Sequence, residues 1–264
     1  MTTRDFNSLE DFLKSQRLTI DGLGEDGWGG SFPVKGREIE ATILFADISN
    51  FSGHTSTLSS TETLAYVNLF FSWISAEGLS GTSGIVDKYI GDEIMIVFSR
   101  EFGSSDAFAE ALSAARGFGE RDAFSFSPHI GIASGVVTVG YVGTPFKYDC
   151  SVFGRPVATA ARCAAVKPEV AAAVSMVFPA AEWGHRNFRE LFPSEKSKQP
   201  DGSYRETSSS WEMRPPRTVS PKNMDPLQVI SVEKTSVWIP MMITAEDWAR
   251  KTVTALERKA RTSE

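Results

Sequence analysis

The sequence predicts an α+β fold, a mixed α/β sandwich in which a central, mostly antiparallel sheet is flanked by helices. Two observations carry this prediction. Short apolar runs with strand character recur along the chain, and the pair within Gly84 to Phe98 is hinged at Gly91 and Asp92, the pattern of a tight hairpin. Segments whose apolar residues have helical spacing lie between these runs.

The composition describes a chain with a sizeable core and no sign of a membrane or nucleic-acid partner. Of the 264 residues, 41% are hydrophobic, and the formal net charge of -6 argues against wrapping a nucleic-acid backbone. Cys150 and Cys163 are too few for a disulfide framework or a zinc site. No apolar run approaches membrane-spanning length, and the N-terminus lacks the order of a signal peptide. These features predict a cytoplasmic protein.

The first elements follow from apolar spacing and turn residues. Residues 6–17 carry apolar side chains at helical spacing, which predicts a short amphipathic helix. The Gly-rich, acidic segment 21–36 predicts a mobile lead-in. A first strand is predicted from Glu38 to Ile48. The run from Thr61 to Leu79 predicts a helix, capped by Ser60 or by Thr61 itself.

The middle of the chain predicts a helix, several short strands and a second helix. An Ala- and Phe-rich run from Ser105 to Phe118 has helical spacing. The segment HIGIASGVVTVGYVGTPFKYDCSVFG predicts several short strands, with Gly-Thr-Pro as a turn within it. Pro156 opens the helix predicted for PVATAARCAAV, because proline is favoured in the first helical turn.

The boundaries predict one domain with an extension at each end. Residues 1–37 supply the N-terminal helix and the Gly-rich lead-in, and residues 38–235 form the domain. Within it, residues 193–226 are rich in proline, serine and charge, which predicts a loop insertion. LQVISVE predicts the domain's last strand. Residues 236–264 predict a C-terminal strand and a helix from Ala245 to Lys259.

Asp47 and Asp92 are candidate metal ligands. Asp47 interrupts the apolar run ILFADI, where a strand core would favour valine or isoleucine, and Asp92 lies in the predicted hairpin turn. If the strands are neighbours, both carboxylates project to one edge of the sheet, where they suit hard divalent cations that bridge phosphates. For either aspartate alone, a helix cap or an ordinary turn explains the residue equally well.

Four segments, in this order, resemble the class III nucleotidyl cyclases. They are FADISNFS, KYIGDEIMIVF, GIASGVVTVGYVG and SVFGRPVATAARC. The resemblance covers about residues 38–166, and LQVISVE is similar to the family's last strand. It implies a class III cyclase-like catalytic domain, in which the ribose 3′-hydroxyl attacks the α-phosphorus of a nucleoside triphosphate and pyrophosphate leaves.

The resemblance implies roles for four residues around the reacting atoms. Asp47 and Asp92 match the family's metal-binding aspartates, and the backbone carbonyl of Ile48 matches a further metal ligand. Two divalent cations, Mn²⁺ or Mg²⁺, would activate the hydroxyl and neutralise the leaving phosphates. Arg162 matches the arginine that stabilises developing phosphoryl charge, since its guanidinium stays charged and forks to two oxygens.

Lys88 and Ser151 match the two positions that contact the base in the family. Adenine-specific members use a lysine at the first position, and the second usually holds Asp or Thr in adenylyl cyclases or a small polar residue in some guanylyl cyclases. The pair found here is neither an obvious adenine pair nor an obvious guanine pair. Lysine donates to carbonyl oxygens, of which uracil offers two and cytosine one. We therefore predict UTP ahead of CTP as the substrate.

Three positions depart from the family's pattern. Ala158 replaces the asparagine that orients the ribose. Arg155 replaces an aspartate and adds a positive charge that either compensates for Ala158 or caps an acidic surface. With Lys88 and Ser151, the residues Asn50, Phe51 and Arg155 are the predicted substrate contacts. Asn50 replaces a glycine beside Phe51, where its side chain either fills space that a purine would occupy or simply occupies a surface turn. These departures resemble the pyrimidine cyclases of bacterial Pycsar antiphage systems. That finer resemblance implies a uridylate cyclase whose product, cyclic UMP, signals to a downstream effector.

Two classes of function follow from these residues. The first is an active cyclase that works as a head-to-tail homodimer with shared active sites, because the resemblance assigns the metal aspartates to one subunit and the base-reading and arginine residues to the other. A cytidylate or adenylate cyclase is an alternative within this class. The second class is a degenerate cyclase-like domain that binds nucleotide without turnover. Ala158 favours the second class, whereas Asp47, Asp92 and Arg162 favour the first.

Overall fold

The structure, a computed structural model, describes residues 5–19, 36–122, 124–144, 147–169, 174–198, 204–207, 210–234 and 243–262. Its helices are α1 Leu9–Ser15, α2 Phe51–Thr55, α3 Ser60–Trp73, α4 Ala107–Glu120, α5 Arg155–Ala164, α6 Ala180–Trp183, α7 Phe188–Leu191 and α8 Ala245–Thr262. Its strands are β1 Gly36–Asp47, β2 Ile85–Ile90, β3 Glu93–Ser99, β4 His129–Thr144, β5 Lys147–Phe153, β6 Val174–Pro179, β7 Glu195–Lys198, β8 Tyr204–Thr207, β9 Trp211–Met213, β10 Arg217–Val219 and β11 Leu227–Lys234. A π-helical turn, Ile74–Gly78, extends α3, and a 3₁₀ turn, Arg100–Phe102, follows β3.

One large sheet organises the described part of the chain. Its strand order is β10-β11-β6-β4-β1-β3-β2, with β5 paired to β4 and β9 paired to β11. The strands of this sheet pair antiparallel except for β4 with β6. A separate hairpin joins β7 and β8. The predicted α+β architecture, with a mostly antiparallel sheet flanked by helices, is confirmed.

The strand β1 lies between β3 and β4, and its side chains alternate between two cores. On one face Leu44 belongs to a cluster that includes Phe70 of α3 and also side chains of α4 and α8. On the other face Ile43 belongs to a cluster that includes Phe12 of α1 and Ala160 of α5. Because both faces are covered, β1 needs apolar side chains in both alternating sets. Its apolar run, the feature that predicts a strand from sequence, therefore carries the middle of the sheet.

The helix α3 begins one residue before its predicted start, because Ser59 is its cap rather than Ser60 or Thr61. Ser59 Oγ accepts a hydrogen bond from the backbone N–H of Glu62, and the Glu62 carboxylate accepts one from the backbone N–H of Ser59 at 2.8 Å. This reciprocal pair satisfies two donors near the helix start. The π-helical turn then carries the chain to Gly78, close to the predicted end.

The several short strands predicted after α4 are two strands, β4 of 16 residues and β5 of 7 residues. Gly135 within β4 has a φ of 147°, a conformation that favours glycine, yet the strand continues through it. The strand stays continuous because β1 pairs with it on one side from His129 to Gly140. On its other side β6 pairs with the first residues and β5 with the last. A change of partner, rather than a break in the chain, explains the sequence pattern.

The loop insertion predicted for residues 193–226 contains short strands instead. The strands β7 and β8 form a hairpin, and β9 and β10 both pair with β11. Trp211 of β9 is buried, with its ring 5.6 Å from that of Phe192 between centroids. Strands of three or four residues are too short to show a period in a Pro-rich segment, so this part of the prediction is wrong.

The remaining elements agree with the sequence to within a few residues. The N-terminal helix is Leu9–Ser15, where Ser8 Oγ accepts from the backbone N–H of Asp11, and Pro156 lies in the first turn of α5. The β2-β3 hairpin, α4, β11 and α8 also lie where they are predicted. Three predicted features lie partly outside the described residues: most of the lead-in at 20–35, Pro145 of the Gly-Thr-Pro turn, and residues 235–242 near the C-terminus. None of the described helices is long and apolar enough to cross a membrane.

Gly131 sets how closely α5 approaches β4. A Cβ atom at this position would overlap the carbonyl oxygen of Ala160 and the backbone nitrogen of Ala164. We expect Gly131→Ala to lower the free energy of unfolding by about 2 kcal/mol, because backbone atoms would have to move. Gly117→Ala is the control, since its Cβ would meet only the flexible Arg121 side chain. Thermal unfolding measures both, and equal midpoints for the two variants would contradict this packing.

Candidate active site

Asp47 is held at the end of β1 by buried neighbours on both sides. It lies in register with Glu93 of β3 and His129 of β4. Phe45 is buried in one core and Ile48 in the other, so the backbone around the aspartate is fixed. The Ile48 side chain is therefore committed to packing, which leaves its backbone as the part that can meet a ligand. The half-buried Asp47 carboxylate is a rigidly placed acceptor at the sheet edge.

Asp92 reaches the same edge from the turn between β2 and β3. Gly91 has a φ of 65°, a left-handed conformation that favours glycine, so the Gly91-Asp92 turn has a direct physical reason. Asp92 is close enough to Asp47 to raise the pKa of that carboxyl. The structure thus brings together the two aspartates that the sequence singles out. Their role as metal ligands stays a prediction.

Glu93 is a third carboxylate at this edge, and the sequence analysis misses it. It begins β3 directly opposite Asp47 in register. Burial raises the pKa of Glu93, and the neighbouring Asp92 raises it too. Its only signal in the sequence is its place directly after Gly91-Asp92. The sequence does not give the register of β1 against β3, so the pairing of Glu93 with Asp47 cannot be predicted from it.

The electrostatics of this edge fit the cations that the resemblance implies. Burial, followed by the charges of Asp92 and Glu93, raises the pKa of Asp47 to about 7. Burial also raises the pKa of Asp92. A divalent cation would offset this repulsion, and carboxylate oxygens are ligands that Mg²⁺ and Mn²⁺ prefer. Across the described ranges, no three or more His, Cys, Asp or Glu side chains form a metal-binding group. Substrate phosphate oxygens and the Ile48 carbonyl would complete the coordination.

Asn50 stands where the family carries glycine because the backbone there is left-handed, with φ of 53° and ψ of 36°. Asparagine tolerates this conformation better than most residues. Its side chain lies over Gly53 in α2, and the ring of Phe51 lies 6.4 Å from that of Tyr66 between centroids. These contacts explain both residues locally. The interpretation of Asn50 as a surface turn residue is favoured over the filling of a purine pocket.

Lys88 and Ser151 lie together, although their strands β2 and β5 are not hydrogen-bonded neighbours. Lys88 Nζ donates to Ser151 Oγ at 2.5 Å, and Ser151 Oγ donates to Asp87 Oδ2 at 2.8 Å. Ser151 is only 1% exposed, whereas 31% of the Lys88 side chain is exposed. The structure therefore pairs the two predicted base-reading residues and places the serine beneath the lysine. Asp87, the third member, is absent from the sequence prediction.

The helix α5 presents Arg155, Ala158 and Arg162 on one exposed face. The two arginines are seven residues apart, which is two helical turns, so they project to the same side. In the described part of the chain, no hydrogen bond or ion pair occupies either guanidinium or joins Arg162 to the aspartates or to Lys88. Two cationic side chains are thus open to an anionic ligand, and a single chain does not bring the predicted catalytic groups into contact.

The family model for the adenylate and guanylate cyclase catalytic domain matches residues 34–178, which is more than half of the chain and includes every site residue named above. The chain belongs to this family. The matched residues include both groups of side chains, one around Asp47 and one around Lys88.

Two curated relatives match over one segment. An uncharacterized protein of Mycobacterium tuberculosis is 31% identical over 130 residues, which are 48% of this cyclase chain and 23% of that protein. The terminal-differentiation-specific adenylate cyclase of Dictyostelium discoideum is 27% identical over 133 residues, which are 46% of this chain and 6% of that protein. The matched segment therefore spans less than a quarter of each of these relatives.

Solved cyclase structures share the fold. The adenylyl cyclase CyaB from P. aeruginosa gives a TM-score of 0.52 at 16% identity, over 77% of this chain and 98% of that one. The guanylyl cyclase Cya2 gives 0.52 at 19% identity, over 76% and 95% of the two chains. A bacterial light-regulated adenylyl cyclase gives 0.53 at 22% identity, over 80% and 57%. At these identities the likeness establishes the class III cyclase fold.

Proposed function

We propose that this cyclase converts a nucleoside triphosphate into a 3′,5′-cyclic nucleotide and pyrophosphate. The observation that carries the proposal is the meeting of Asp47 and Asp92 at one sheet edge of a cyclase-family domain. The unoccupied guanidinium of Arg162 on an exposed helix face supports it. Paired carboxylates and a free arginine are the groups that a phosphoryl-transfer site needs.

The reaction makes and breaks one bond at the same phosphorus. The ribose 3′-hydroxyl oxygen bonds to the α-phosphorus, the bond from that phosphorus to the departing pyrophosphate oxygen breaks, and the hydroxyl proton is released. Two divalent cations supply the Lewis acidity for this chemistry when bound. Asp47, Asp92 and the Ile48 carbonyl would hold them. Arg162 would donate hydrogen bonds to the phosphoryl oxygens as charge develops there.

We propose a homodimer in which each active site takes residues from both chains. Within the described residues of one chain, no hydrogen bond or ion pair joins Asp47 or Asp92 to Lys88 or Arg162, so a second copy would supply the missing half. Apolar side chains exposed around the Lys88 group support an interface there, since Tyr89 is 51%, Ile90 47% and Phe153 46% exposed. A head-to-tail pair would build two equivalent sites.

We propose UTP as the preferred substrate. Of Lys88, Ser151 and Asp87, only Lys88 reaches the surface, so the group offers N–H donors to a base. Uracil has two carbonyl acceptors and cytosine has one, which favours UTP over CTP. Asn50 no longer contributes to this argument, because its conformation explains its presence without a pocket. The base preference therefore rests on Lys88.

Two other candidates each have a specific observation behind them. Adenylate cyclase activity is supported by the names of relatives, including the Dictyostelium enzyme and an adenylate cyclase of Anabaena cylindrica that is 29% identical over 133 residues. A domain that binds nucleotide without turnover is supported by Ala158, which offers no side-chain hydrogen bond to a ribose. The retained Asp47, Asp92 and Arg162 favour turnover.

A competition among equimolar ATP, GTP, CTP and UTP with Mn²⁺ tests the base preference. We expect cyclic UMP to dominate, with products identified by mass. A site that hydrogen-bonds one base discriminates against a base that lacks the partner group by about a hundredfold or more. The Asp47→Ala chain is the control for non-enzymatic products. Dominant cyclic AMP or cyclic GMP would refute the pyrimidine preference, and dominant cyclic CMP would overturn the choice of uracil.

We propose that the product acts as an antiphage signal on a downstream effector. The motivation for this role is the resemblance to Pycsar pyrimidine cyclases, which rests on the departures at Arg155 and Ala158. In cells that express the protein, phage infection should raise the concentration of the cyclic pyrimidine nucleotide above that in uninfected cells. Mass spectrometry of extracts measures it, with Asp47→Ala cells as the control. An unchanged level after infection would contradict the antiphage role.

A further inference from the structure

The strand β2 contains one extra residue, and that residue is Asp87. Against β3, Val86 pairs with Ile96 and Lys88 pairs with Met95, so Asp87 has no partner of its own. Neighbouring side chains of a regular strand point to opposite faces, but a bulge breaks this alternation. As a result Asp87 and Lys88, adjacent in sequence, both reach the Ser151 hydroxyl.

The hydrogen bonds among these three residues have a fixed direction. The single hydroxyl proton of Ser151 goes to Asp87 Oδ2, so Ser151 Oγ is left as an acceptor, and Lys88 Nζ donates to it. Lys88 Nζ is also 3.4 Å from Asp87 Oδ2, close enough for an ion pair. The ammonium is thereby held by two oxygens, with its one remaining proton available to a ligand.

Burial separates the roles of the three side chains. The Asp87 side chain is 0% exposed, so it cannot touch a nucleotide, whereas 31% of the Lys88 side chain is exposed. Among the described residues, the second oxygen of Asp87, Oδ1, is also buried without a hydrogen-bond partner. Asp87 lines a cavity of about 200 Å³ between the bulge and the start of α1. A buried carboxylate is costly, and the Ser151 hydroxyl and the Lys88 ammonium offset part of that cost.

We propose that Asp87 is a positioning residue that determines base selectivity. Its carboxylate fixes Ser151 as an acceptor, and this keeps the Lys88 ammonium at one point as a donor to the base. Asparagine at this position would remove the negative charge that attracts the Lys88 ammonium, and its amide N–H could donate to Ser151 Oγ in competition with Lys88. Lys88 would then lose its fixed position and discriminate less between bases. This inference rests on the proposed cyclase function.

The test compares Asp87→Asn with Asp149→Asn, using kcat and KM for all four nucleoside triphosphates with Mn²⁺. Asp149 lies on β5 two residues before Ser151, is exposed, and accepts the N–H of Cys150. For Asp87→Asn we expect the ratio of kcat/KM between the best and second-best nucleotide to fall by about tenfold or more, mainly through KM for the best one. The Asp149→Asn ratio should stay within about twofold of that of the unmodified protein.

A merely structural role would lower kcat/KM for every nucleotide alike and leave the ratio unchanged. If Asp87→Asn does not fold, Asp87→Ser, which is neutral and smaller, replaces it under the same criterion. A ratio within about twofold of the unmodified protein's in a folded variant would overturn the inference. If the unmodified protein makes no cyclic product at all, the proposed function is wrong. In that case the dissociation constants of the four nucleotides are measured by calorimetry. The ratio between the best and second-best nucleotide is then compared between Asp87→Asn and the unmodified protein.

Discussion

Replacing either of the proposed metal ligands, Asp47 or Asp92, should lower the rate of cyclic nucleotide formation by about a thousandfold or more, since each carboxylate would support charge stabilisation at the reacting phosphorus. Purified Asp47→Ala and Asp92→Ala, assayed with UTP and Mn²⁺, provide the measurement. Asp247→Ala on α8 removes an exposed carboxylate that pairs with Arg250, and it should keep full activity. Substantial turnover by either site variant would end the two-metal account.

Measurements of unfolding in metal-free buffer separate a variant that does not fold from one that folds but does not catalyse the reaction. The folded-state pKa of Asp47 is raised to about 7. Ionising this carboxyl therefore costs more in the folded than in the unfolded protein. As a result, the free energy of unfolding falls as the pH rises from the ordinary pKa of an aspartate to 7. At pH 8, Asp47→Asn should therefore be as stable as the unmodified protein or up to about 1 kcal/mol more stable, given solvent screening at a half-exposed site. Added Mn²⁺ should raise the unfolding midpoint of the unmodified protein only. A large fall in the midpoint of the variant would mean that Asp47 acts on the fold.

Mixing two inactive chains should restore activity. Asp47→Ala lacks the metal half of the site, and Arg162→Ala lacks the arginine half, but a heterodimer of the two contains one complete site. With free exchange, half of the dimers are mixed and each has one active site of two, so we expect about a quarter of the unmodified activity. Initial rates before and after mixing, at constant total protein, measure the effect.

Subunit exchange needs its own proof in this experiment. Chains with different affinity tags, purified in sequence, show whether mixed dimers form. A mixture of Asp47→Ala with Asp92→Ala is the matched control, because both changes lie in the same half-site and no heterodimer regains a complete site. Proven exchange without recovered activity would contradict shared sites, and recovery in the control would contradict the assignment of the halves.

The parts of the fold that are predicted well from sequence are those in which an apolar pattern repeats over many residues or in which the turn residues define the turn. The β2-β3 hairpin is predictable because Gly91 supplies the left-handed residue that its turn requires. The helix α5 is predictable from Pro156 and its alanine-rich run. The strands of residues 195–219 are not, because β9 and β10 exist through pairing with β11, and three residues carry no period.

For the candidate site, residues fixed by a motif are predictable and residues fixed by register are not. Asp47 and Asp92 follow from their places at a strand end and a turn. Asp87 does not, because the alternation of a regular strand places it on the face opposite Lys88, and only the bulge reverses that. Asn50 has a conformational explanation that appears only with its positive φ.

The most direct test of the account follows one nucleoside triphosphate through the reaction with the purified protein and Mn²⁺. Phosphorus NMR distinguishes a 3′,5′-cyclic phosphodiester with pyrophosphate from a diphosphate or monophosphate with inorganic phosphate. With UTP we predict cyclic UMP and pyrophosphate in a ratio of about one to one, and neither product from Asp47→Ala. Nucleotide that binds but stays intact, with all four triphosphates and either Mn²⁺ or Mg²⁺, would contradict the cyclase activity and favour the degenerate domain.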